Sequence, residues 1–305
     1  MTPPPAPVPV AVPAGLAAEC RAFYAARGER RGPASFDEVL AARAAQVPPA
    51  VAVERVSPLG VAVRVVRPAG VVRGVLLDIP GGGFYLGASA GGIARAAEVA
   101  GALGVAVVSV DHRLAPEEPW PAAPDDCEAA ARWLIEHAQT RFGTSALAVV
   151  GSSAGATLAT TTLLRLRDRG LAGRFAAAVL QFGVYDLSGS TPAGRLIAGE
   201  YFLDAYLGHV ADRTVPDVSP VFGDLRGLPP ALLIVGERDV LLADNRALAA
   251  RLAAAGVDVE LLVYPEAPHG FTEHPTGMAR AALADRDRWL AGRLARGGPP
   301  ALSPA

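Results

Sequence analysis

The sequence predicts an α/β fold: a mostly parallel, eight-stranded sheet with helices packed on both faces. Two observations carry this. Short, almost wholly apolar runs rich in Val, Ile and Leu recur along the chain, as expected of strands buried on both faces. Helical stretches separate them, which parallel strands require for their crossovers. With 305 residues and 51% hydrophobic content, the chain is long enough to bury a large core.

Taken in order, residues 1–14 are Pro-rich and uncharged, with no basic start and no helical apolar core. They read as an extended, disordered tail rather than a signal peptide. Two short helices are expected at 16–27 and 36–45. Strands at 51–56 and 61–66 flank Pro58-Leu59-Gly60 and predict an antiparallel hairpin. Further strands are expected at 75–79, 105–110, 147–150, 177–182, 231–235 and 259–263. Cys127, Ala130, Ala131, Leu134 and Ala138 share one face of a helix that Pro121 opens. Leu248, Leu252 and Ala255 do the same in a later helix that Gly256 ends. Between Gly183 and Pro230 the alternation lapses, leaving room for a helical insertion around 201–208. Residues 297–305 read as a second tail.

Composition narrows the function. Formal net charge is −2, and all 28 cationic side chains are Arg. The absence of Lys excludes Schiff-base chemistry and a P-loop lysine, and no basic run marks a nucleic-acid or membrane surface. Cys20 and Cys127 are too few for a disulfide framework or a zinc site, so a reduced, cytoplasmic protein is expected. The uncharged stretch 142–164 is interrupted by glycines, serines and threonines. It reads as strand, sharp turn and helix rather than a membrane span.

That turn is Gly151-Ser152-Ser153-Ala154-Gly155. A G-x-S-x-G between a buried strand and a helix places the central serine on a tight elbow, with helix N–H groups aimed at the reaction site. Pro80-Gly81-Gly82-Gly83-Phe84 ends an earlier strand, and its glycines let backbone N–H groups approach a ligand closely. A flexible turn is the plain alternative. A phosphate loop fits worse, because the spacing is not G-x-G-x-x-G. Asp239 lies just past one predicted strand and His269 just past the last. Ser153, Asp239 and His269 are therefore delivered in order to one sheet edge, where open α/β sheets place ligands. Alone, such an Asp is more often a helix cap and such a His a surface or core residue. Among the other histidines, His274 is the rival to His269. His112 also competes, while His137 lies on a helix and His209 in the insertion.

Taken together, these blocks resemble a bacterial α/β-hydrolase of the hormone-sensitive-lipase-like carboxylesterase family, over about residues 51–290. Residues 80–84 resemble its His-Gly-Gly-Gly-Phe loop, 111–117 its Asp-Tyr-Arg-Leu-Ala-Pro-Glu block and 151–156 its Gly-Asp-Ser-Ala-Gly-Gly elbow. The segments 202–207, 219–220, 228–230 and 269–271 also match. The resemblance implies an α/β-hydrolase domain over 47–296. A small helical cap would be built from the N-terminal helices (15–46) and an insertion (about 187–215). It implies Ser153 as nucleophile, His269 as general base and Asp239 as its orienting partner. Backbone N–H groups of Gly82, Gly83 and Ala154 would form the oxyanion hole. Phe84, Tyr24, Tyr201, Phe202 and Tyr206 (with Phe23) become candidates to line a substrate pocket, or simply to pack the cap. Arg113 is expected to pair with an acid. Three positions depart from the pattern: Pro80 for His, Ser152 for an acid and Ala156 for Gly.

The activity this implies is hydrolysis of short- to medium-chain or small-molecule esters through an acyl-enzyme, with no metal or organic cofactor. The expected partner is a small-molecule ester, with no nucleic acid and no membrane, and a homodimer is left open. Alternatives on the same triad are a lactonase, thioesterase or formamidase, or a tailoring enzyme such as a cyclase, dehydratase or acyl transferase. A receptor on this fold would more often have lost a triad member.

Overall fold

The sheet positions every other element. In the computed structural model, which describes residues 10–28, 32–46, 53–57 and 60–296, eight strands join one sheet in the order β1-β2-β4-β3-β5-β6-β7-β8. They are β1 (Glu54–Val56), β2 (Ala62–Val66), β3 (Val75–Ile79), β4 (Ala106–Asp111), β5 (Leu147–Ser152), β6 (Phe175–Gln181), β7 (Ala231–Gly236) and β8 (Val259–Tyr264). β1 pairs antiparallel with β2, and β2 with β4. From β4 onward every pairing is parallel. The expected antiparallel start and parallel remainder are both present. Residues 51–52 and 58–59, part of the expected hairpin, lie outside the described residues, as do 1–9 and 297–305.

Burial explains the strand compositions. All six residues of β7 are buried, as are five of six in β4 and in β5. Such strands need no polar face, so their runs are continuous rather than alternating. Nine α-helices are present among the described residues: α1 (Ala14–Arg27), α2 (Phe36–Ala44), α3 (Ala90–Leu103), α4 (Ala122–Phe142), α5 (Ala154–Asp168), α6 (Pro192–Ile197), α7 (Tyr201–Leu207), α8 (Leu242–Ala254) and α9 (Gly277–Arg296). Helices α4, α5 and α8 bury the Leu77, Val149 and Leu233 face of the sheet. Helices α1, α3 and α9 cover the opposite Leu76, Val150 and Ile234 face.

Local signals set the helix ends. Ser89 caps α3 by accepting from the Gly92 amide at 3.1 Å, and Gly104 ends it at φ 66. Gly143 ends α4 at φ 77, and Pro121 stands as the residue before its first turn. The predicted apolar face of α4, Cys127 to Ala138, is fully buried. Inside the lapse, α7 sits where a helix was expected, and α6 is an addition that Thr191 caps. The chain is docked from Val10, whose amide donates to the Val263 carbonyl at 2.9 Å. The expected extended tail of residues 1–14 therefore does not reach α1, because Val10 and Val12 pack onto the sheet core.

Candidate active site

Strand β5 runs straight into helix α5, and the joint leaves little room. A methyl group on Gly151 would strike the Gly155 carbonyl, and one on Gly155 would strike the Ile79 carbonyl. Only glycine fits at either position, so β5, α5 and β3 close onto one another. Between the glycines Ser153 adopts φ 51 and ψ −123. A non-glycine residue in this region stores backbone strain. The elbow holds that strain through the Ser153 amide, which donates to the Gln181 carbonyl at 2.9 Å.

The three side chains expected to meet at the sheet edge do so. Ser153 Oγ lies 3.0 Å from His269 Nε2. His269 Nδ1 lies 3.0 and 3.1 Å from the two Asp239 carboxylate oxygens. Asp239 is 5% exposed, and Oδ1 also accepts from the Leu241 amide at 2.8 Å. Burial opposes charge on the imidazole. The Asp239 hydrogen bond and charge, with Glu273 added, outweigh it and raise the His269 pKa above the ordinary value. The Phe182 ring packs edge-on against the imidazole at 5.1 Å. His274, the sequence rival, faces Tyr24 instead, with Nδ1 3.0 Å from the phenol oxygen.

Opposite the elbow, Gly82, Gly83 and Phe84 take φ values of 107, 59 and 64 in succession. The Gly82 and Gly83 amides donate to no backbone carbonyl among the described residues. Ala154 opens α5, where an N–H has no intrahelical partner. Three amides, of Gly82, Gly83 and Ala154, are thus without a backbone acceptor among the described residues. The loop is braced from outside. Arg43 of α2 donates from Nε to the Tyr85 carbonyl at 2.7 Å and from Nη2 to the Ala115 carbonyl at 2.8 Å. Its other edge pairs with Glu117 at 2.7 Å. The Ala115 amide donates to the Phe84 carbonyl at 3.0 Å. Beneath the loop, His112 is buried with Nδ1 2.9 Å from the Arg113 carbonyl. Arg113 pairs with Asp126 of α4 at 2.8 Å, as an acid partner was expected.

The aromatic candidates for a substrate pocket do not share one setting. The Phe84 and Tyr206 rings stack at 3.9 Å, with planes 2° apart, and both are buried. They join the oxyanion loop to α7 as packing. Tyr24 docks α1 onto the segment after His269. Tyr201 and Phe202 are half-buried, near Tyr85 and Phe84 respectively. None of the five lines the large cavity beside the site. Sequence reasoning missed Arg43, Phe182 and Glu273, whose roles depend on neighbours far away in the chain. Among the described residues, no cluster of His, Cys, Asp or Glu is arranged to hold a metal. No helix among them is long and apolar enough to cross a membrane.

Comparison with known proteins places the chain among hydrolases. A family model described as the alpha/beta hydrolase fold matches residues 76–273. An ethyl acetate hydrolase of Pseudomonas putida is 35% identical over 208 residues, covering 64% of this chain and 65% of that protein. A carboxylesterase, NlhH, of Mycobacterium tuberculosis is 36% identical over 226 residues, covering 69% and 70%. The chain thus spans about two thirds of the length of these curated relatives. Among solved structures, an esterase, EstE5, soaked with p-nitrophenyl butyrate superposes with a TM-score of 0.79 at 28% identity, over 92% of this chain and 98% of that one. A hormone-sensitive lipase from a metagenome library gives 0.75 at 32%, over 85% and 94%.

Proposed function

The chain belongs to the alpha/beta hydrolase fold family, on the branch of hormone-sensitive-lipase-like esterases, and from that premise we propose a serine carboxylesterase acting on short- to medium-chain esters. The observation that carries the reading is the continuous line Ser153 Oγ, His269, Asp239 at 3.0 Å per step, facing three unpaired backbone donors. Relatives described as an ethyl acetate hydrolase and a carboxylesterase support it.

The chemistry follows from the geometry. His269 Nε2 takes the Ser153 proton as Oγ attacks the ester carbonyl, and Asp239 steadies the imidazolium that forms. The N–H groups of Gly82, Gly83 and Ala154 hold the tetrahedral oxyanion. Each such donor is worth about 10²–10³ in rate. The bond to the alcohol oxygen breaks, and His269 returns the proton to it. Water then attacks the acyl-enzyme by the same route and releases the acid.

The test is steady-state hydrolysis of p-nitrophenyl acetate, butyrate, octanoate and palmitate, with Ser153→Ala as the control. Turnover of the shorter esters that disappears in the variant is the expected result. Equal rates in both proteins reject the serine mechanism.

A further inference from the structure

Behind the oxyanion loop lies a cavity of about 290 Å³, near the lower end of ligand pockets at about 300 Å³. Its walls include Pro80, Gly81, Gly82 and Ser152, so it begins beside the residue that precedes the nucleophile. It is carved between the sheet and helices α3 and α9, where a buried parallel sheet should present only apolar side chains.

The lining is not apolar throughout. Four adjacent strands each turn one polar side chain into it: Ser109 on β4, Asp78 on β3, Ser152 on β5 and Gln181 on β6. Asp78 is level with Ser109, and Ser152 with Gln181. One residue pair deeper on the same face, the walls become Leu76 and Val107, with Val99 and Leu290 closing them from the helices. A chain entering from the loop meets polar groups first and an apolar floor after.

One of these four strand groups lacks a partner. Gln181 is 5% exposed and its Oε1 accepts nothing. Asp78 Oδ2 accepts from Ser109 Oγ at 2.6 Å. Arg95, half-buried on α3, makes no hydrogen bond or ion pair among the described residues. An unpartnered buried polar group costs about 1–3 kcal/mol, so Gln181 next to a reaction site, with Arg95 unpaired in the same wall, points to a ligand. Charge narrows its class. Arg95 and Arg286 face Asp78 and Glu273 across the cavity, and Arg286 is already held by Asp287 at 2.8 Å. No net positive charge remains to hold a carboxylate, and no isolated negative one to hold an ammonium. A neutral group that both donates and accepts fits: it hydrogen-bonds the Gln181 amide or gives a hydrogen to Asp78, and takes one from Arg95.

We propose that this cavity receives the acyl part of the ester and selects acyl chains that carry a hydroxyl close to the ester carbonyl, followed by an apolar tail. The proposal rests on the esterase reading for its reaction but not for its binding. The experiment therefore has two arms.

In the first, kcat/KM is measured for ethyl butyrate, ethyl β-hydroxybutyrate and monoethyl succinate, in wild type, Gln181→Leu and Arg95→Met. The hydroxy ester should exceed the plain ester by about tenfold, the worth of one well-made hydrogen bond, and the ratio should fall towards one in both variants. A ratio at or below one in wild type overturns the proposal. So does a ratio unmoved by both variants, or preference for the succinate ester. Arg95 lies outside the tight core, so its variant keeps the test open if Gln181→Leu fails to fold. In the second arm, Ser153→Ala protein is titrated with the same esters and its Tm followed. A larger rise with the hydroxy ester is expected, and equal rises overturn the proposal. A selective rise without any hydrolysis in wild type would reject the esterase reading while the subsite stands.

Discussion

Arg43 is the test of whether the N-terminal helices matter to catalysis. Its guanidinium, 21% exposed, ties α2 to the two carbonyls that follow the oxyanion loop, at Tyr85 and Ala115. A hydrogen bond from a charged donor is worth about 1.5–3 kcal/mol. Two of them, reduced because water reaches the vacated site, put the cost of Arg43→Met at about 3 kcal/mol. The Glu117 contact adds under about 1 kcal/mol, because that carboxylate is half exposed and screened. Arg43 touches no reacting atom, so the effect on rate comes only through Gly82 and Gly83. Losing one oxyanion donor outright sets a ceiling of about 10²–10³, and partial loosening is expected to lower kcat about tenfold with KM little changed. Urea unfolding and p-nitrophenyl butyrate kinetics read both quantities, with Glu117→Gln as the near-neutral companion. An unfolding free energy within about 0.5 kcal/mol of wild type, together with an unchanged kcat, would refute the bracing argument.

Other outcomes follow from the same coordinates. Because Asp239 and Glu273 raise the His269 pKa, activity should be lost on acidification with a midpoint above the ordinary imidazole value. Glu273→Gln removes one raising charge, so the acid limb of the kcat/KM profile should move to lower pH; an unmoved limb contradicts the assignment. Burial lifts Asp244 from 3.8 to about 6, despite amide donors from Tyr185 and Asp186. The unfolded chain ionises first, so stability falls as pH rises from about 4 to 6 and stays lower above, by about 3 kcal/mol for this group. Urea unfolding across that range should show the slope, and Asp244→Asn should flatten it. Gly155→Ala would drive a methyl into the Ile79 carbonyl, so a loss of at least about 3 kcal/mol or no soluble protein is expected. Gly101→Ala, in the last turn of α3 with open space around it, should instead raise stability by up to about 0.5–1 kcal/mol. Thermal unfolding of the pair checks both signs.

Much of the architecture was legible along the chain because its signals are local. Strand β3 needs five consecutive residues with four of them buried, and a run of Val, Leu and Ile announces it. The elbow was legible because Gly151 and Gly155 answer a steric demand made within a few residues. Asp239 and His269 could be placed because each ends a strand, and parallel strands bring their C-terminal ends to one edge. Which histidine joins Ser153 was not legible from residue type, since His269 and His274 both follow β8. The course of the chain around Gly270, at φ 70, turns one towards Asp239 and the other towards Tyr24.

What the sequence determined by itself is the sheet, its direction and the tight elbow at Ser153, all set by periodicity and steric limits over short stretches. What only the tertiary structure decided is how the surroundings are shared out. Phe84 and the aromatic residues of the insertion were expected either around a pocket or as cap packing, and Phe84 and Tyr206 bury each other, because ring stacking and apolar burial favour the close cap–body contact. Asp78, Ser109, Ser152 and Gln181 stand far apart in the chain and become neighbours only when four strands align. Arg43 reaches the oxyanion loop across 42 residues of sequence. Such contacts depend on distance in space, which periodicity along one strand or helix does not encode.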